Sequence, residues 1–90
     1  MMQVKIDKSF EKDVKKINNK KVLQKISEAI KNTQNAAELK DINNLKKLTG
    51  TKNEYRIRIG DYRIGIIITN ETAEFIRCLH RKDIYKYFPK

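Results

Sequence analysis

Tyr55-Arg56-Ile57-Arg58-Ile59-Gly60-Asp61-Tyr62-Arg63-Ile64-Gly65-Ile66-Ile67-Ile68-Thr69 decides the fold. Its first five residues alternate strictly, and the stretch from Tyr62 is long and rich in β-branched side chains, so both halves read as strands. Gly60-Asp61 between them is a two-residue turn of the kind that closes a tight hairpin, and such a turn pairs Ile59 with Tyr62 and Arg58 with Arg63. Asn70-Glu71 repeats the device before Ala73-Glu74-Phe75-Ile76-Arg77-Cys78-Leu79. The expectation is a three-strand antiparallel meander.

Upstream, Val4 and Ile6 alternate with Lys5, and Asp7-Lys8-Ser9 supplies cap-forming side chains, which predicts a short strand feeding a helix. Phe10, Val14 and Ile17 stripe one face of that helix while Lys12, Lys15 and Lys16 take the other. Asn18-Asn19 breaks it, and Val22/Leu23, Ile26, Ala29/Ile30 and Thr33 carry the helical period through a second helix. Between 35 and 50, Leu39, Ile42, Leu45 and Leu48 also fit helical spacing, so a short helix ending in a turn is expected, with Gly50 as a stop. Downstream, Ile84, Tyr85 and Phe88 predict a short terminal helix that stops at Pro89. The fold class is therefore α+β over one domain, residues 1–90. An N-terminal strand and a two-helix hairpin pack on an antiparallel β-sheet meander, a short C-terminal helix follows, and the other sheet face is left free.

The chain has 90 residues, with 21 Lys plus Arg against 11 Asp plus Glu, a formal charge of +10. Such a surface attracts phosphates regardless of sequence, which makes a polyanion, RNA first, the expected partner. No segment approaches the run of about 18 apolar residues that spans a bilayer, and the N-terminus has no signal-peptide core, so no membrane role and a cytoplasmic location are expected. Cys78 and His80 each stand alone in the composition; neither a disulfide, a metal centre nor a cofactor is expected.

All five arginines, Arg56, Arg58, Arg63, Arg77 and Arg81, lie in the β half, whereas most lysines precede it. Strand alternation sends Arg56 and Arg58 to one face, and the hairpin register adds Arg63. Like charges directly opposite one another destabilise a sheet, so three of them together suit a bound anion. The alternative is a solubilising face, or one whose charges pair with Glu54, Glu74 and Asp83. Just after the last strand come His80, Arg81, Lys82 and Tyr85. His80 is the side chain whose ordinary pKa suits proton transfer near neutrality, though a lone histidine at a strand end also serves as a packing or hydrogen-bonding residue. Tyr85 either stacks on an unpaired base or belongs to the core with Ile84 and Phe88.

At these residues the sequence resembles the RelE/ParE toxin superfamily, and within it the RelE-type mRNA interferases. The resemblance covers essentially the whole chain. It rests on the strand and helix order, on Leu45-Lys46-Lys47-Leu48-Thr49-Gly50, on Tyr55-Arg56-Ile57-Arg58-Ile59-Gly60-Asp61-Tyr62-Arg63-Ile64, and on His80-Arg81-Lys82-Asp83-Ile84-Tyr85. It implies the toxin of a type II toxin-antitoxin system, a metal-independent endoribonuclease that enters the ribosomal A site beside 16S rRNA. There it cuts mRNA by attack of a ribose 2′-hydroxyl on the adjacent phosphate. It also implies an acidic antitoxin as partner in a heterocomplex. The family's site cations fall on Arg56, Arg58 and Arg63, with a further one on Arg81 or Lys82, and its base-stacking tyrosine falls on Tyr85. The family pattern has lysines where Arg56 and Arg58 stand, and an arginine is a poor proton acceptor, so the resemblance passes general acid or base work to His80. Two other functions remain compatible with the sequence: a ParE-type toxin that poisons DNA gyrase by protein contact, and a non-catalytic RNA-binding module.

Overall fold

The structure is a computed structural model that describes residues 2–89. Strand β1 (Gln3–Ile6) leads into helix α1 (Lys8–Lys15) and helix α2 (Lys20–Asn35). The Asp7 carboxylate accepts from the Ser9 N–H at 3.0 Å, capping α1. Asn19 does the same for α2, accepting from the Lys21 and Val22 N–H groups at 2.9 and 3.2 Å, which is why the Asn18-Asn19 break restarts a helix.

Residues 35–50 depart from the expected short helix. A 3₁₀ turn at Leu39–Asp41 is followed by strand β2 (Leu45–Lys47), which pairs antiparallel with β3 (Glu54–Ile59). The break comes at Asn44, whose φ of 63° lies in the left-handed region that a helix cannot contain. Ile42 is buried and Leu45 packs partly against the core. Ile42 and Leu45 thus reach the core without helical continuity, while Leu39 stays exposed.

Strands β3, β4 (Tyr62–Thr69) and β5 (Thr72–His80) form the expected meander. Ile59 pairs with Tyr62 and Arg58 with Arg63, around a turn that opens on Gly60 at φ 55°. The sheet is wider than a meander, however: its order is β1-β5-β4-β3-β2, with β1 parallel to β5 at one edge. The α1–α2 hairpin carries the chain from β1 at that edge to β2 at the other. A bulge in β5 opposite Gly65 and Ile66 sets Phe75 against Ile66 but Cys78 against Ile64. Two residues three apart in β5 thereby both face the core, which regular alternation forbids.

One sheet face, carrying Ile57, Ile59, Ile64, Ile66, Phe75 and Cys78, is buried with Phe10 and Ile26 from the helices and Ile17 from the connection between them. Phe10 meets Phe75 edge to face with ring centroids 5.5 Å apart. The opposite face is not wholly free. The single-turn helix α3 (Ile84–Tyr87) packs on β4 and β5 with Ile84 and Phe88 buried. Phe88 lies so close over Gly65 that a Cβ there would stand 2.6 Å from its ring, so glycine is what admits it. That packing confines the open part of this face to the β2–β3–β4 end.

Candidate functional site

Residues at even positions of β3 and odd positions of β4 point away from the helices. Arg58 faces Arg63 directly across the hairpin, and Arg56 stands opposite Gly65 on one side and Lys46 of β2 on the other. The guanidinium of Arg56 donates from Nη1 to the Asn44 carbonyl at 3.0 Å. Arg63 donates from Nη1 to the Gly60 and Tyr62 carbonyls at 2.6 and 3.0 Å. Both heads are tied to backbone oxygens, and a guanidinium held by one nitrogen keeps further N–H donors for a ligand.

Arg63 loses a proton more readily than an ordinary arginine, first because it is partly desolvated and then because Arg56, Arg58 and Arg81 crowd it with like charge. Tyr85 acts in the opposite direction. Five of the residues singled out from the sequence, Arg56, Arg58, Arg63, Arg81 and Tyr85, therefore converge electrostatically on one place. The ion pairs among the described residues are Lys40–Glu38, Arg77–Asp13 and Lys86–Asp83, and they involve none of these arginines. Glu54 turns to the Asn53 N–H instead, at 3.1 Å.

The segment after β5 is tied to the hairpin turn by the Arg81 N–H, which donates to the Asp61 carbonyl at 2.7 Å. Arg81, rather than Lys82, is the cation whose field reaches Arg63. The Lys82 N–H donates to His80 Nδ1 at 3.1 Å, which places the proton of the neutral imidazole on Nε2. His80 pairs with Tyr62 in register, and their rings meet edge to face at 5.9 Å. It thus starts on the face opposite Arg63, at the end of the sheet. Tyr85 is 57% exposed while Ile84 and Phe88 are buried, so α3 presents the tyrosine and keeps its neighbours for packing. With Arg56 it lines a shallow hollow whose other walls include Lys46, Lys47, Thr49 and Pro89.

Lys46 joins this surface because β2 is a strand, and its helical reading hid that. The sign of it in the sequence was the Asn43-Asn44 pair, which argues for a turn before Leu45. Arg77 belongs elsewhere. Its Nε and Nη2 donate to the buried Asp13 carboxylate at 2.7 and 3.1 Å, and its guanidinium lies 5.2 Å from the centre of the Tyr87 ring. The hydrogen bond to Asp13 holds Arg77 more firmly protonated than usual. Asp13 also accepts from the Cys78 N–H at 2.9 Å, filling the β5 edge beyond the end of β1. Burial, with the Asp13 charge beside it, pushes the Cys78 thiol up to about 12, so it stays protonated at neutral pH. Among the described residues, no group of three His, Cys, Asp or Glu side chains could hold a metal ion, and no helix is long and apolar enough to cross a membrane.

The family model for the ParE toxin of type II toxin-antitoxin systems, parDE, matches residues 4–85. Toxin RelE3 of Methanocaldococcus jannaschii is 44% identical over 89 residues, which are 98% of this chain and 100% of that protein. The RelB-RelE antitoxin-toxin complex from Methanococcus jannaschii contains a chain that superposes with a TM-score of 0.80 at 41% identity, covering 94% of this chain and 99% of that one. A chain of the archaeal RelE-RelB complex from Pyrococcus horikoshii OT3 shares the fold, with a TM-score of 0.73 at 22% identity over 92% of this chain and 98% of that one.

Proposed function

This chain belongs to the RelE/ParE superfamily of type II toxin-antitoxin toxins, and we propose that it is a ribosome-dependent mRNA endonuclease whose arginine face holds the scissile phosphate. The observation that carries this reading is the set of like charges around Arg63 with no acidic side chain in an ion pair with it among the described residues. A phosphate dianion in transition would relieve that repulsion, and its charge grows as the reaction proceeds.

In this reading the ribose 2′-oxygen attacks the adjacent phosphorus, the bond to the 5′-oxygen breaks, and a 2′,3′-cyclic phosphate remains on the upstream fragment. Arg56, Arg58 and Arg63 bind the non-bridging oxygens, Arg81 and Lys82 add positive charge at the sheet end, and Tyr85 stacks on a neighbouring base. The arginines cannot accept the 2′-hydroxyl proton, and with Nδ1 taken by the Lys82 N–H the Nε2 of His80 offers a proton rather than a lone pair. His80 therefore donates toward the leaving 5′-oxygen at the end of the sheet beside Arg81, while solvent water takes the 2′-hydroxyl proton and returns one to the imidazole. The ribosome supplies the in-line geometry of the mRNA in the A site, which so small a surface does not impose alone. The partner in the cell is an acidic antitoxin that covers the basic face, as the RelB chains of the solved toxin complexes suggest by their pairing.

Incubating the protein with ribosomes carrying a defined mRNA, and mapping the fragment ends, tests this. Cleavage at the A-site codon is expected; an intact message with active ribosomes overturns it. The match to the ParE model favours one second reading, contact poisoning of DNA gyrase. DNA damage induction with translation unaffected would establish that reading instead.

A further inference from the structure

We propose that Asn32, on α2, is a positioning residue that aims the Arg56 guanidinium through the loop Asp41–Asn44. The inference rests on Arg56 acting as a phosphate-holding residue.

Both ends of the Asn32 amide are used on the same short loop. Its Nδ2 donates to the Asp41 carbonyl at 3.2 Å, and its Oδ1 accepts from the Asn43 N–H at 2.8 Å. An amide with donor and acceptor both engaged fixes two backbone groups at once, and here they are two residues apart. The next residue, Asn44, sits at φ 63° and turns its carbonyl toward β3. That one oxygen accepts the Arg56 Nη1 at 3.0 Å and the Arg58 N–H at 3.3 Å. Hydrogen bonds at both ends of the Asn43–Asn44 backbone thus link the helix layer to the head of Arg56 on the opposite sheet face.

The two anchored arginines differ in what holds them. Arg63 is tied to carbonyls of its own hairpin, Gly60 and Tyr62, three residues away at most. Arg56 is tied to a residue twelve positions earlier, outside its hairpin. Its aim is therefore only as good as the placement of the loop, and Asn32 sets that placement. Ordering a long side chain in advance spares the binding step part of its entropy cost, roughly three- to tenfold in affinity for one rotamer-rich group.

The test uses the intact protein and an RNA oligonucleotide carrying 2′-O-methyl groups, which removes the nucleophile so that binding is read without cleavage. Asn32→Ala is expected to weaken binding roughly three- to tenfold. In an Arg56→Ala background it should add nothing, because the residue it aims is gone. Equal effects in both backgrounds, or no effect in either, overturn the proposal. Asn32→Asp keeps the acceptor for the Asn43 N–H and loses only the donor to Asp41, so it serves if the alanine variant does not fold, and an effect of the same sign is expected. A readout without RNA separates this from the wider functional reading. The Arg56 side-chain Nε–H resonance should be distinct in the wild type and move to the position of a free arginine in Asn32→Ala. If the wild type binds no oligonucleotide, the phosphate-holding reading fails while the resonance still decides the latch. An unchanged resonance in Asn32→Ala overturns it.

Discussion

Arg63 and Arg77 lie one strand apart, on β4 and β5, and their surroundings are opposite. Arg77 meets a buried carboxylate with two hydrogen bonds and an aromatic ring, and it is held protonated. Arg63 meets three other arginines and two backbone carbonyls, and its charge is held less firmly. The first arrangement closes within the molecule: Arg77 compensates Asp13, which in turn satisfies the Cys78 N–H. The second leaves a charge excess for something outside the molecule to compensate. A pair of that first kind organises the fold, and a cluster of the second kind is what a phosphate site requires.

Substitutions should separate the two. Arg63→Ala is expected to lower mRNA cleavage by roughly 10²- to 10³-fold, the cost of removing one donor aimed at developing charge. Its stability in a denaturant titration should be unchanged or raised, since repulsion is relieved. Loss of folding in that variant would contradict the division. Asp13→Ala should do the reverse, costing about 3 kcal/mol in the same titration because a partly buried guanidinium and the Cys78 N–H lose their partner. The fraction that remains folded should still cut.

Gly65→Ala acts at the border between the two regions. The added Cβ meets the Phe88 ring at 2.6 Å, so Phe88 must shift and carry α3 with it, at a cost of about 1–3 kcal/mol. Displacing α3 moves Tyr85 while leaving Arg56, Arg58 and Arg63 on their strands. Binding of single-stranded RNA should then lose its stacking contribution but keep its salt dependence, measurable by fluorescence anisotropy across ionic strengths.

The smallest effect is at alkaline pH. The Cys78 thiol has its folded pKa raised, so the stabilisation linked to its protonated form is fully present below its ordinary value of 9.0. That stabilisation falls as pH rises from there toward about 12. Unfolding midpoints measured from pH 8 to 11 should decline more steeply in the wild type than in Cys78→Ala.

Much of this division was legible in the sequence. The β3–β4 hairpin could be placed to the residue because Tyr55–Ile59 alternates and Gly60-Asp61 admits a two-residue turn, and that register brings Arg58 against Arg63. The two helices followed from local period, from the cap-forming Asp7-Lys8-Ser9 and from the Asn18-Asn19 break, and the structure adds that Asn19 caps the second. What escaped depends on partners distant in the chain. Leu39, Ile42, Leu45 and Leu48 fit a helix as well as a turn and strand, and the pairing of Lys46 with Arg56 decides between them. Asp13 looks like one more polar residue on α1 until Arg77 arrives 64 positions later. Tyr85 could have packed or projected; the room Gly65 makes for Phe88 determines that it projects. His80 was named for its chemistry, and only the register of β5 shows which face it starts from.

Mapping fragment ends from A-site-programmed ribosomes, with wild type and Arg63→Ala in parallel, tests the central claim most directly. Cleavage within the A-site codon by the wild type is expected, with an upstream fragment ending in a 2′,3′-cyclic phosphate, and almost none from folded Arg63→Ala. Equal cleavage by both proteins, or an intact message with both, would contradict it.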